Sequence, residues 1–176
     1  GGYVSAPGGL AAKATGTPLI IHEQNAIAGM SNRYLAKLAT KVLQAFPNTF
    51  GDSDSPENPK LETVGNPVRD AICKIAPPEE RYDLQDDSPL KLLVVGGSLG
   101  AEALNKTVPA ALAKIDKPIT VYHQCGRNNL AGTESYYQPV NRAIHNVTVK
   151  PFIEDMAQAY AWADVILCRA GALTVT

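Results

Sequence analysis

Short apolar runs recur along this chain, each followed by a polar or glycine-rich turn and then by a stretch whose apolar positions have helical spacing. The runs predict strands over Pro18–Ile21, Lys41–Gln44, Leu61–Val64, Leu90–Val95, Ile119–Tyr122, Val147–Val149 and Val165–Cys168. Between them the pattern predicts helices over Gly8–Ala14, Ser31–Ala39, Ala101–Ile115 and Asp155–Ala161. Strand and helix alternating in this way predicts α/β architecture, with parallel sheets and right-handed crossovers.

The stretch from about Lys74 to Pro89 breaks the rhythm. It holds Pro77, Pro78 and Pro89, with five acidic residues from Glu79 to Asp87 and few apolar ones, and reads as a surface linker or a loop leading into a new domain. The expected boundary falls just after Arg69, giving domains over 1–69 and 70–176. In Ile27–Lys41, Ile27, Met30, Tyr34, Leu35 and Leu38 mark an apolar face, and Arg33, Lys37 and Lys41 fall four apart on another. That basic stripe is either an ordinary solvated face or a contact for an anionic membrane surface.

Composition narrows the field. With 45% hydrophobic residues the chain can bury a sizeable core, and 16 basic residues against 17 acidic ones leave no cationic excess for a nucleic-acid partner. Cys73, Cys125 and Cys168 are dispersed, with no C-x-x-C spacing, and read as reduced thiols of a cytoplasmic protein. No apolar run approaches the roughly 18 residues that span a bilayer. With no initiator Met and a glycine-rich opening, the chain is expected to be an internal fragment.

Chemistry concentrates where the predicted strands end. His22-Glu23-Gln24-Asn25, Gly65-Asn66-Pro67-Val68-Arg69, Gly96-Gly97-Ser98-Leu99-Gly100, His123-Gln124-Cys125-Gly126 and Arg169-Ala170-Gly171 each follow one. Parallel sheets bind ligands beyond the carboxyl ends of their strands, so five such ends suggest a shared cleft. Gly96–Gly100 before a helix suits a phosphate cradle, with Ser98 as an added donor; the same turn also serves tight strand-to-helix packing. Ser98 and Ala101 replace the second and third glycines of the G-x-G-x-x-G dinucleotide fingerprint, which disfavours a nicotinamide cofactor. His22 and Glu23 are candidates for a general base or its partner, since exposing His, carboxylate and two amides together is costly without a purpose. His123 and His145 read as ordinary, and no spacing suggests a metal site.

Taken together, GGYVSAPGGLAA, HEQNAIAGMSNRYLA, VLQAFP, VGNPVR, LLVVGGSLGAEALN, HQCG, PFIEDMAQAYAWADV and CRAGALTV resemble the MurG family of glycosyltransferases. The resemblance implies the two-domain GT-B fold, with parts of two Rossmann-like domains and parallel sheets facing a cleft. It implies inverting transfer of N-acetylglucosamine from UDP-N-acetylglucosamine to the C4 hydroxyl of undecaprenyl-pyrophosphoryl-N-acetylmuramoyl-pentapeptide, at the cytoplasmic face of the inner membrane, with no cofactor or metal. Residues 1–69 would belong to the acceptor-side domain and 70–176 to the donor domain. Asn25, Arg69, Ser98 and Asn105 would serve the donor, Ile153 would meet uracil through its backbone, and Arg169 with Ala172, Leu173, Thr174 and Val175 would bracket ribose and diphosphate. Tyr3 and Ser5 would face the acceptor pyrophosphate. Ala6 and Leu99 stand where the family usually has Gly and Gln.

Other readings are a UDP-sugar epimerase of the same fold, a nicotinamide-dependent oxidoreductase and an inactive scaffold. HEQN and the acceptor-type loop speak against the epimerase, and the broken fingerprint against the oxidoreductase.

Overall fold

The computed structural model describes residues 4–52, 58–81 and 87–172. They fall into two compact units, one running up to Val68 and the other comprising Arg69–Ala170; Gly171 and Ala172 cluster with the first.

The first unit is built on a three-stranded parallel sheet in the order β1 (Ile20–Glu23), β2 (Lys41–Gln44), β3 (Leu61–Thr63). Its helices are α1 (Ser5–Ala14) and α2 (Met30–Leu38). Ile21, Val42 and Leu61 project from the sheet into one cluster with Leu35 of α2 and Ala39. Helix α1 closes on the same leucine: a Cβ on Gly9 would stand 2.4 Å from Leu35 Cδ2, so a larger residue there would have to displace the leucine side chain. Strand β1 begins two residues later than expected, beyond Pro18, which has no N–H for a ladder. His22 and Glu23 therefore lie within the strand rather than after it.

The second unit carries a four-stranded parallel sheet. After the short helices α3 (Asp70–Cys73) and α4 (Pro78–Arg81) come β4 (Leu90–Val95), α5 (Glu102–Leu112), β5 (Ile119–Gln124), α6 (Leu130–Tyr136), β6 (Asn146–Lys150), α7 (Met156–Trp162) and β7 (Val165–Cys168). The spatial order is β6-β5-β4-β7. Adjacent residues of β4 serve opposite faces, as the two-residue strand period demands. Val94 packs with Val121, Val108, Leu112 and Tyr137, whereas Leu93 packs with Ile153, Ala159 and Ala163.

Three differences from the sequence reading have local causes. The proline-rich acidic stretch is not wholly linker: Arg81 Nε donates to the Ala76 carbonyl at 2.8 Å, and Nη1 donates to the carbonyls of Ala161 (2.9 Å) and Ala163 (3.3 Å) at the end of α7. A guanidinium there answers both the orphan carbonyls and the negative end of the helix. Lys41, read both as the last cation of the basic stripe and as the first residue of a strand, takes the strand place in β2 and pairs with Glu62 at 2.6 Å.

Strand β5, thirdly, runs two residues further than expected, carrying His123 and Gln124 into the core. His123 is 0% exposed. Its Nε2 lies 3.0 Å from Asn105 Oδ1 and its Nδ1 lies 2.8 Å from the Tyr137 hydroxyl. Because Asn105 Nδ2 donates to the Cys125 carbonyl (3.0 Å), its Oδ1 can only accept, so His123 carries its proton on Nε2 and accepts from Tyr137 on Nδ1. Burial depresses the His123 pKa from 6.5 to about 4. The native state thus holds no proton here in a range where the unfolded chain binds one, so stability is fully present above pH 6.5 and is lost as pH falls toward 4. Relative to a His123→Phe variant, whose position cannot titrate, the wild type should lose about 2 kcal/mol of stability between pH 7 and pH 5. Urea melts at both pH values measure that difference.

Candidate functional site

Every strand pair in both sheets is parallel, and the registers bring their carboxyl ends level. Glu23 stands beside Gln44, and Gln44 beside Thr63. In the second unit Val95 stands beside both Gln124 and Cys168, and Gln124 beside Lys150. Within each unit the polar loops therefore leave from one edge of the sheet.

In the first unit that edge is organised by Glu23, which is 3% exposed. Its Oε1 accepts from the backbone N (3.0 Å) and Nδ2 (2.8 Å) of Asn25, and its Oε2 from Gly29 N (3.0 Å) and Asn32 Nδ2 (2.9 Å). Burial raises its pKa, but the four donors outweigh burial and the net shift is downward. A carboxylate so engaged is a poor proton acceptor. Glu23 braces the loop between β1 and α2, which corrects its expected role as a general base. Half-buried His22 donates from Nε2 to the Gly65 carbonyl at 3.0 Å, leaving Nδ1 as its basic nitrogen. Asn66 Nδ2 donates to the Gln24 carbonyl at 3.0 Å, so the loops after β1 and β3 are stitched together. The end of β1, the loop after it and the start of α2 border a hollow of about 380 Å³ reaching from His22 to Asn32.

In the second unit the chain passes from β4 outward through β5 and β6, then returns to the other side of β4 with β7. The gap between β4 and β7 is a topological switch point, where loops diverge and open α/β sheets bind their ligands. Gly96–Gly100 leaves β4 there, and Arg169 leaves β7. A Cβ on Gly97 would stand 3.1 Å from Arg169 Nη2. The glycine loop then feeds α5, whose N-cap Ala101 has no side chain to satisfy the first N–H groups. Backbone donors, the positive end of an eleven-residue helix and a guanidinium thus meet at one point, the ingredients of an anion site.

The loop's seat is tight. Gly100 has φ +80°, and a Cβ on it would come within 2.1 Å of the Cys125 carbonyl oxygen; one on Gly126 would reach Gly100 N at 2.4 Å. Exposed Ser98 and Leu99 form the tip, Leu99 with 86% of its surface open.

The remaining expected residues divide. Arg69 is exposed and borders a separate hollow of about 370 Å³ with Ile72, Glu154, Asp155 and Met156. Ile153 buries its side chain against Leu93, Ala159 and Ala163, and the residue also borders an open groove with Tyr122, Phe152 and Trp162. Asn105 is buried and its amide is spent on His123 and the Cys125 carbonyl, so it supports the glycine loop from beneath, which corrects its expected place beside a ligand. Exposed Asn25 is held by Glu23, Ser5 opens α1, and Ala172 lies in a turn. Tyr3, Leu173, Thr174 and Val175 lie outside the described residues. The sequence reading overlooked Asn32, Arg127 and Asn129. Asn32 was hidden by lying nine residues from its carboxylate, and Asn129 by preceding a helix whose pattern is weak. Among the described residues no cluster of His, Cys, Asp or Glu is suited to a metal ion.

Residues 91–176 match the glycosyltransferase family 28 C-terminal domain, and residues 1–44 match the family 28 N-terminal domain. Over its whole length the chain is 69% identical to the UDP-N-acetylglucosamine–N-acetylmuramyl-(pentapeptide) pyrophosphoryl-undecaprenol N-acetylglucosamine transferase of Psychrobacter cryohalolentis, covering 48% of that protein. It is 52% identical to the same-named transferase of Acinetobacter baumannii, covering 47% of it. Its fold superposes on the crystal structure of Acinetobacter baumannii MurG with a TM-score of 0.80 at 46% identity, over 99% of this chain and 46% of that one. The chain belongs to the MurG family. It spans about half the length of the curated MurG relatives it matches. Its two parallel-sheet units have the GT-B-like α/β fold of that structure.

The brace in the MurG-type loop after β1 can be tested directly. Glu23→Gln replaces one acceptor oxygen by an N–H₂ that must face two of the four donors. The variant should lose about 1–3 kcal/mol of stability, the cost of leaving buried polar groups unpaired. Urea denaturation measures it, and a change within error would show that the four contacts do not hold the loop.

Proposed function

We propose that the protein carrying this chain is an inverting hexosyltransferase. It moves N-acetylglucosamine from UDP-N-acetylglucosamine to undecaprenyl-pyrophosphoryl-N-acetylmuramoyl-pentapeptide, the step that completes the lipid-linked peptidoglycan precursor. The observation that carries the reading is the glycine cradle and Arg169 at the β4/β7 switch point, in a chain 69% identical throughout to a transferase of that name.

In this reaction the acceptor C4 hydroxyl gives its proton to a base and attacks the anomeric carbon from the face opposite the leaving group. The bond from that carbon to the diphosphate oxygen breaks, and UDP departs with the electron pair. The residues of the second unit answer the second half. Ser98, the N–H groups at the start of α5 and Arg169 stabilise the charge that develops on the diphosphate, without a divalent ion. Ile153 meets uracil through its main chain, its side chain being committed to the core. Arg69 adds a charge on the donor side, and Ala172 with Leu173, Thr174 and Val175 completes the ribose and diphosphate surround. Residues 1–69 serve the acceptor, with Tyr3 and Ser5 toward its pyrophosphate and Asn25 toward the donor. His22, through Nδ1, is the basic group of this segment.

The acceptor's lipid places the enzyme at the cytoplasmic face of the inner membrane. The contact we propose is peripheral; no helix among the described residues is long and apolar enough to cross a membrane. Ile27, Met30 and Tyr34 are exposed at the start of α2, with Arg33 and Lys37 beside them. Apolar side chains with cations at their edge suit an anionic bilayer surface.

Calorimetry on the intact enzyme should show binding of UDP-N-acetylglucosamine and none of NAD(H). Tight NAD(H) binding with a silent UDP-sugar would overturn the transferase reading. Arg69→Ala should reduce donor kcat/KM by ~10- to 100-fold, the worth of a charge-assisted hydrogen bond. Lys37→Ala, on an exposed helix face, should change it less than about twofold. Equal effects in a detergent-solubilised assay would remove Arg69 from the donor side.

A further inference from the structure

Asn129 occupies the N-cap of α6, a position where asparagine is favoured because its side-chain oxygen can accept from the first turn of the helix. Here it makes no such bond. Its amide turns instead toward the glycine loop, where Nδ2 donates to the Leu99 carbonyl at 3.0 Å and to the Cys125 carbonyl at 3.1 Å. Both hydrogens of one N–H₂ are thereby spent on two carbonyls from different loops. The Cys125 oxygen is the one against which Gly100 is seated, and it also receives Asn105 from beneath. A Cβ on Gly100 would meet Asn129 Nδ2 at 2.6 Å, so the clamp closes only over glycine. One further bond, Arg127 N to the Ser98 carbonyl at 3.3 Å, is long, which leaves Asn129 as the principal side-chain tie on the loop's tip.

From this we infer that Asn129 is a positioning residue for donor use: it forgoes capping its own helix and holds the Ser98–Gly100 loop in the shape that cradles the diphosphate. The inference rests on the donor-site reading above. It makes a demand that a purely structural role would not. Aspartate at 129 is an equally good helix cap, yet two carbonyl oxygens would repel its carboxylate. Asn129→Asp should therefore turn to cap α6 and release the loop, keeping stability while losing donor use.

The test uses the intact enzyme with Asn129→Ala and Asn129→Asp. Donor kcat/KM should fall about tenfold in both, as the loss of two ordinary hydrogen bonds implies, with acceptor KM unchanged. The Tm of Asn129→Asp should be no lower than that of the wild type, and the Gly100 and Arg127 amides should exchange hydrogen faster in both variants. If donor and acceptor parameters fall together with Tm, Asn129 serves folding alone and the inference fails. It fails equally if exchange quickens while donor kinetics stay put, or if nothing changes. If the wild type does not use UDP-N-acetylglucosamine, the functional reading is what has failed. Exchange at Gly100 and Arg127 then still decides whether Asn129 holds the loop, with faster exchange upholding the clamp and unchanged exchange refuting it.

Discussion

Parallel pairing governs this molecule. A parallel strand cannot be joined to its neighbour by a tight hairpin, so every connection must travel back along the sheet, usually as a helix. Each unit consequently collects its strand-to-helix loops at one edge, and everything chemically unusual in the sequence is drawn there. Strand order adds the second ingredient. Because β7 returns to the far side of β4, the loops after these two strands diverge and leave room for a ligand between them. Glycines and an arginine at that gap can serve an anion; at another strand end the same residues would be an ordinary turn.

Both strand-end clusters are held by buried polar groups. In the first unit a buried carboxylate gathers four N–H donors and so fixes the loop between β1 and α2. In the second, a chain of hydrogen bonds runs from Tyr137 through His123 and Asn105 to the Cys125 carbonyl, on which the glycine loop sits. Buried polar groups are costly unless fully satisfied, and these are matched donor to acceptor along their length. The matching also fixes the tautomer of His123, which burial keeps neutral.

The seven described strands and helices α1, α2, α5 and α7 were legible because their apolar runs sit between strong turn signals, and the glycine loop because it directly follows a strand. Errors arose where distant partners override local pattern. His123 and Gln124 look like the end of a strand because they are polar; only Asn105, on α5, and Tyr137, on α6, make burial of the histidine tolerable. Glu23 looked like a base because its four donors come from residues two to nine positions away, across a turn whose shape the sequence does not disclose. Helix α6, with sequence LAGTESY, has too little apolar periodicity to announce itself, and with it went the meaning of Asn129.

Leu99 stands apart from its neighbours in one respect. Gly96, Gly100 and Gly126 are locked by backbone atoms at distances no side chain permits, so substitution there must rebuild the loop. Leu99 sits between them at the tip, open to solvent over 86% of its surface and bound to the fold only through its main chain. The loop thus couples a tightly seated frame to one side chain that packs on nothing beneath it. A substitution at position 99 would alter what the loop's rim offers to solvent without disturbing the frame beneath it. In this chain that tip carries an isobutyl group, an apolar point turned to water on a loop of glycines and a serine.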